Sequence, residues 1–235
     1  MNMNFTKAII TGSLLVSTAA FAGHHDNGNH NGNGSPAPRG YEVTITNITS
    51  GQSFTPLLVA THTADVGFFE LGAAPSADLA DLAEGGATGG LQATLDSLPE
   101  YVMETATSGL TADGNPLINP GESVTVMISG NRDYNRLSLA GMLLPTNDSF
   151  VAINSMPLPR HYAGSMALAY DAGSEMNDEL CVNIPGPTCG GAPFSEGLAE
   201  GYVHISSGIS GEGDLAASDH DWRNPVARVT VRRID

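Results

Sequence analysis

The stretch Tyr41-Glu42-Val43-Thr44-Ile45-Thr46 decides the fold. Apolar and polar residues alternate along it, which is the period-two mark of a strand with one buried face. The chain closes on a matching stretch, Ala227-Arg228-Val229-Thr230-Val231-Arg232, with branched residues on one face and arginines on the other. Between these two, Val124, Val126 and Ile128 alternate within 123–130, and 136–144 opens with the alternating Leu137 and Leu139. Shorter strand candidates run over 150–153 and 166–170. Turn chemistry separates them, as in Asp113-Gly114-Asn115-Pro116 and Asn119-Pro120-Gly121. Helix signals are few. Ser76 can cap a short helix with Asp78 in its first turn, with Leu79, Leu82 and Ala83 on one face and Gly85 at its end. Leu91, Leu95 and Leu98 suggest a second helix, stopped by Pro99. Many strands with decorated connections predict an all-β sandwich or barrel with one or two short helices, not alternating βαβ units.

Residues 1–22 read as an export signal. Lys7 provides the positive start, Ala8 to Ala20 an apolar run, and Ala20-Phe21-Ala22 a small-x-small cleavage pattern. The run is roughly 13 residues, well short of the ~20 that cross a bilayer. Residues 23–40 form a His/Asn/Gly-rich leader that cannot bury enough apolar surface to offset its ordering entropy. His24, His25 and His30 are expected there as solvated side chains. The folded domain is expected over 41–235, outside the cytoplasm in the cell exterior or periplasm.

Charge narrows the partners. The sequence holds nine Lys and Arg against 25 Asp and Glu, a formal net charge of −16. Lys7 is the sole lysine, so Schiff-base chemistry has no residue to use once the signal is removed. So acidic a surface argues against nucleic acid and anionic lipid, and it attracts divalent cations. Cys181 and Cys189 flank Pro185-Gly186-Pro187, and in an exported chain they are expected to close a local disulfide.

The usual catalytic signatures, G-x-S-x-G, H-E-x-x-H, the P-loop and G-x-G-x-x-G, do not occur. His204, in Tyr202-Val203-His204-Ile205, suggests an alternative: a secreted hydrolase in which Asp219 or Asp221 pairs with it as a base. Nothing nearby resembles an activated nucleophile, so a satisfied histidine at a sheet edge is the plainer reading.

Two acidic turns stand out. Asp148 precedes a strand in Thr146-Asn147-Asp148-Ser149-Phe150-Val151, and Asp171 and Glu175 flank a tight turn in Tyr170-Asp171-Ala172-Gly173-Ser174-Glu175. Calcium takes six to eight oxygens at about 2.3–2.6 Å, and a D-x-x-x-E spacing around glycine lets two carboxylates fold back to one point. By spacing alone, solvated turn residues are the plainer reading. Asn147 and Asp178 are further oxygen candidates.

Those turns belong to a longer pattern. Pro56-Leu57-Leu58-Val59-Ala60-Thr61-His62, Phe69-Glu70-Leu71-Gly72, Leu82-Ala83-Glu84-Gly85-Gly86, the two acidic turns, and Asn224-Pro225-Val226-Ala227-Arg228-Val229 occur in this order. Together they resemble the spondin domain family, known from animal matrix proteins and from single-domain exported bacterial proteins. The resemblance implies a C2-like antiparallel β-sandwich with calcium at one end, and Asp148, Asp171 and Glu175 at the positions of the metal ligands. It implies no catalytic activity, and a role in binding a protein or glycan at a cell surface or matrix. Two departures stand in this sequence. The aromatic after the first turn's aspartate is displaced to Phe150, and Glu175 replaces an aspartate, lengthening that arm by one methylene.

Overall fold

The computed structural model describes residues 36–195 and 197–235. The export signal and residues 23–35 of the leader therefore lie outside the described residues, while the last two leader residues, Arg39 and Gly40, already pair with Gly130 and Ser129 in the sheet. Among the described residues, no helix is long and apolar enough to cross a membrane. Ten strands appear in chain order: β1 Arg39–Asn47, β2 Ser53–Phe54, β3 Leu58–His62, β4 Val102–Thr107, β5 Ser123–Gly130, β6 Arg136–Leu144, β7 Ser149–Pro157, β8 Tyr162–Asp171, β9 His204–Ile205 and β10 Ala227–Arg233. Three helices decorate them: α1 Ala77–Gly85, α2 Gly89–Asp96 and the short α3 Ala217–His220.

All strand pairs are antiparallel, in the order β4-β3-β6-β7-β8-β10-β1-β5, with β2 added beside β6 and β9 beside β8. The end strands of this path meet again. Thr61 Oγ1 in β3 donates to Ser129 O in β5 at 2.6 Å, and Ser129 N donates to Glu104 Oε2 in β4 at 2.6 Å. The result is a nearly closed sandwich.

Two apolar clusters account for the burial pattern. The first fills the interior with Tyr41, Val43, Ile45, Val59, Leu139, Val229 and their neighbours, the inward halves of the alternating strands. The second lies on the outer face of β3, β6 and β7, where Leu79, Leu82, Leu91 and Leu95 of the helices meet Leu58, Ala140 and Phe150. Because β3 and most of β6 are covered on both faces, they lose alternation and read as continuous buried runs. Each fully buried Leu or Phe adds about 1.5–3 kcal/mol relative to exposure.

The cap on α1 is as expected at its start. Ser76 Oγ accepts from Leu79 N at 3.2 Å. Its end comes one residue later than the sequence suggested: Gly86, at φ 70°, is the left-handed cap, and Gly85 is the last helical residue. In the second helix Leu98 falls beyond the end, in the turn after Ser97. Cys181 and Cys189 form the expected disulfide, with Cα atoms 4.7 Å apart.

Candidate metal centre

The site is built where β7 begins and β8 ends. Thr146 Oγ1 closes the preceding turn by donating to Leu143 O at 2.6 Å and accepting from Ser149 N at 3.2 Å. This bend buries Asp148 completely. In the β7–β8 ladder Ser149 stands opposite Asp171, and just past it Ala172 N donates to Asp148 O at 3.2 Å. The two acids predicted from separate turns are thus brought side by side by register. Gly173 makes the second turn possible. It sits at φ 65°, and a Cβ there would stand 2.3 Å from Tyr202 O, so no other residue fits.

That turn wraps Asp148. Its Oδ2 accepts from Ser174 N at 2.8 Å, Ser174 Oγ at 3.3 Å and Glu175 N at 3.1 Å. Its Oδ1 is buried and has no partner. Glu175, also buried, accepts from Ser195 N through Oε1, while Oε2 is buried without a partner. An unsatisfied buried oxygen costs about 1–3 kcal/mol, more when it carries charge. Burial, followed by the neighbouring Asp171 charge, pushes Asp148 up to about 7. Burial also raises Asp171, Glu175 and Glu84, the last reaching Ser174 and Glu175 from α1.

Asp171 opens a second direction. Its Oδ1 accepts from Gly173 N at 2.8 Å and its Oδ2 from Asn177 Nδ2 at 2.8 Å. Asn177 Nδ2 also donates to Glu200 Oε1 at 3.2 Å. Among the described residues, Asp171, Glu200 and His204 are the His, Cys, Asp or Glu group whose ligand atoms all lie within 4.8 Å of one another. His204 Nδ1 lies 3.0 Å from Ile205 O. A carbonyl oxygen only accepts, so Nδ1 carries a proton, and Nε2 lies 3.4 Å from Asp171 Oδ1 with no hydrogen-bond partner. With one ring proton, two acceptors would face each other there. A cation or a second ring proton resolves that contact.

The three expected ligands are therefore all buried at one end of the sheet, but they are not equivalent. Asp171 belongs to the tight cluster with Glu200 and His204, whereas Asp148 and Glu175 lie outside that cluster, are joined to each other through Glu175 N, and each present an orphaned oxygen. The auxiliary candidates are otherwise engaged. Asp178 accepts from Asn147 Nδ2, Leu180 N and Asn183 Nδ2, and Asn147 Oδ1 accepts from Glu179 N. The hydrolase pairing is corrected as well. His204 meets Asp171, while Asp221 accepts from Ile209 N and Arg223, and Asp219 from Ser218.

Glu200 and Glu84 were not anticipated as members of this neighbourhood. The spacing Glu200-Gly201-Tyr202-Val203-His204 held the signal for one. A carboxylate beside the buried face of α1, after Leu82 and Ala83, held it for the other.

The donor set is dominated by carboxylate oxygens, two of them orphaned, with one imidazole nitrogen at its edge. Such a set can hold a divalent cation and relieve the crowding of buried charge. No curated protein matches the sequence. The family model for the spondin N-terminal domain (Spondin_N) matches residues 38–176, more than half of the chain and a range that includes Asp148, Asp171 and Glu175. The chain belongs to the spondin N-terminal domain family.

Proposed function

We propose that this domain is an extracellular, calcium-stabilised binding module of the matrix or adhesion type, with no chemistry of its own. Membership of a family of extracellular modules supports the setting, and so does the Cys181–Cys189 disulfide, a bond that persists in oxidising compartments. Calcium would be held by Asp148, Asp171 and Glu175, and Glu200 would complete the acidic rim. The observation that carries this reading is the presence of two buried, partnerless carboxylate oxygens, Asp148 Oδ1, whose aspartate neighbours Asp171, and Glu175 Oε2 on the turn that wraps Asp148. A hard ion accepting irregular oxygen geometry suits that arrangement better than magnesium, which demands a near-ideal octahedron. The ion would supply positive charge where the chain gathers negative charge. The chain's own work is to fix two loops so that the adjoining surface can meet a protein or glycan.

A second reading concerns the ion and rests on His204. An imidazole nitrogen beside two carboxylates suits zinc better than calcium, which takes oxygen ligands. One experiment separates them. Thermal melting in 1 mM calcium, in zinc and in EDTA should show calcium raising the midpoint by about 5–10 °C, for a Kd near 10 μM. Asp171→Ala should remove most of that gain. His204→Ala should leave the calcium gain intact, and a gain with zinc alone that His204→Ala abolishes would replace calcium by zinc. Superimposable curves in all three buffers would remove the metal from the proposal.

A further inference from the structure

A cavity of about 540 Å³ opens on the helical side of the molecule. Its size lies in the range of small-molecule sites, roughly 300–1,000 Å³. One wall is aromatic. Phe69 and Tyr170 line it with ring centroids 4.8 Å apart, and Phe150 backs both at 5.3 and 5.7 Å. Val66, Leu71, Pro75 and Leu91 add aliphatic surface. Glu70 is the one charged side chain of the lining, and no basic residue joins it.

The opposite wall is held in place by a buried polar network. Around Ser138 the β6–β7 register slips, from Leu137 opposite Met156 to Leu139 opposite Ile153, leaving Asn154 and Ser155 as a bulge. Ser155 takes φ 65°, a strained backbone state for a serine, and its N–H donates to Ser138 Oγ at 2.8 Å. His62 Nε2 lies 2.8 Å from the same hydroxyl. Asn154 then grips the opposite rim. Its Oδ1 accepts from Phe68 N at 3.0 Å and its Nδ2 donates to Phe69 O at 2.7 Å. The rim comes close enough that a Cβ on Gly67 would lie 2.8 Å from Asn154 Oδ1. Bulge, strain and clamp converge on positioning the Val66–Leu71 segment, the short stretch that brings Phe69 and Glu70 to the lining.

We propose that this cavity binds a small organic cation with an apolar body, such as an aromatic or branched alkyl ammonium. The Phe69 and Tyr170 faces receive the cation and its hydrocarbon, and Glu70 at the mouth supplies the opposite charge. The overall charge of −16 draws cations toward the site and repels anions of the same shape. Asn154 is a positioning residue that acts through the backbone of Phe68 and Phe69.

The test uses benzyltrimethylammonium, whose charge does not titrate, with benzyl alcohol and benzoate as neutral and anionic counterparts. Titrations followed by amide chemical shifts, in EDTA and again in calcium, should show saturable changes at Phe68, Phe69, Asn154 and Ser155 for the cation. Binding of the neutral compound should be weaker and that of the anion weakest. Glu70→Gln, on an exposed side chain, should weaken cation binding about fivefold and leave the neutral compound unchanged. Asn154→Ala should weaken both compounds together. The proposal is overturned if no saturable shift is seen up to roughly 10 mM, if benzoate binds as well as the cation, or if Glu70→Gln has no effect. Because both buffers are used, loss of the metal reading would leave this result readable.

Discussion

Asp148 and Glu179 are both buried carboxylates near the same end of the sheet, and Asn147 stands next to one and accepts from the backbone of the other. Their surroundings differ in the supply of N–H groups and in the charge beside them. Glu179 receives Ser210 N at 2.5 Å and Ser210 Oγ at 2.8 Å on Oε1. Its Oε2 receives Gly211 N at 2.8 Å and Glu212 N at 3.2 Å, with Gly213 N at 3.5 Å. Burial pushes its carboxyl up, yet these donors outweigh burial and hold it below the ordinary value. Asp148 has donors on one oxygen, none on the other, and a second aspartate beside it, so it moves the opposite way, to about 7. The chain completes one acid by itself and leaves the other incomplete. Burial of charge is therefore not by itself a functional signal; unanswered burial is.

The largest test of this contrast is Glu179→Gln. Turning a multiply bonded carboxylate into an amide forces N–H against N–H, and should cost about 3 kcal/mol in calcium and EDTA alike, roughly 6–12 °C in melting temperature. An equal loss at Asp148 would erase the distinction.

Asp148→Asn should do the reverse in EDTA. Removing a charge that burial and Asp171 disfavour should stabilise the metal-free protein by about 2 kcal/mol, seen as a higher urea midpoint. In calcium the same variant should be the less stable one, so its effect changes sign between buffers. Destabilisation in both buffers would make Asp148 a structural acid like Glu179.

The smallest effect is the pH profile without metal. Between 3.8 and about 7 the folded Asp148 keeps a proton that the unfolded chain has lost, so stability falls as pH rises through that window. Lowering pH from 7 to 5 in EDTA should thus raise the melting temperature by a few degrees, for about 1 kcal/mol, and Asp148→Asn should reduce the rise, leaving the share of the other raised acids Asp171, Glu175 and Glu84. Glu179 contributes in the other direction. Its stabilisation is present above the unfolded value of 4.5 and is lost as pH falls through its lowered folded value, so the profile should turn down in more acid solution.

Much of the framework was legible because one-sided burial writes itself into sequence. β1, β5 and β10 alternate, and they are strands with one covered face. β3 gave no alternation because the helices cover its outer face, and β4 lies at the end of the strand path, where only Val102 is fully buried. The two acidic turns were legible as carboxylates near glycine. That Asp148 and Asp171 sit side by side follows from the Ser149–Asp171 register, which the spacing of the two turns did not contain. Glu200 and His204 reach Asp171 from about thirty residues away, through a segment whose strand is two residues long. No local pattern announces such a return. The bulge at Asn154 and Ser155 was equally silent, since its cause is the partner strand and not its own composition.

The first and last strands of the domain are neighbours, with Tyr41 opposite Arg233 and Gly40 N held by Asp235 Oδ2 at 2.7 Å. β8 starts beside them, Tyr162 opposite Arg232, and runs nine residues to Asp171. At 3.3 Å per residue the acidic cluster lies roughly 30 Å from the place where the chain enters and leaves. The first and last strands of the domain and its acidic cluster thus lie at opposite poles. A linker, a neighbouring module or a surface that meets the domain at β1 and β10 therefore leaves the opposite pole, with its buried carboxylates, clear of that contact.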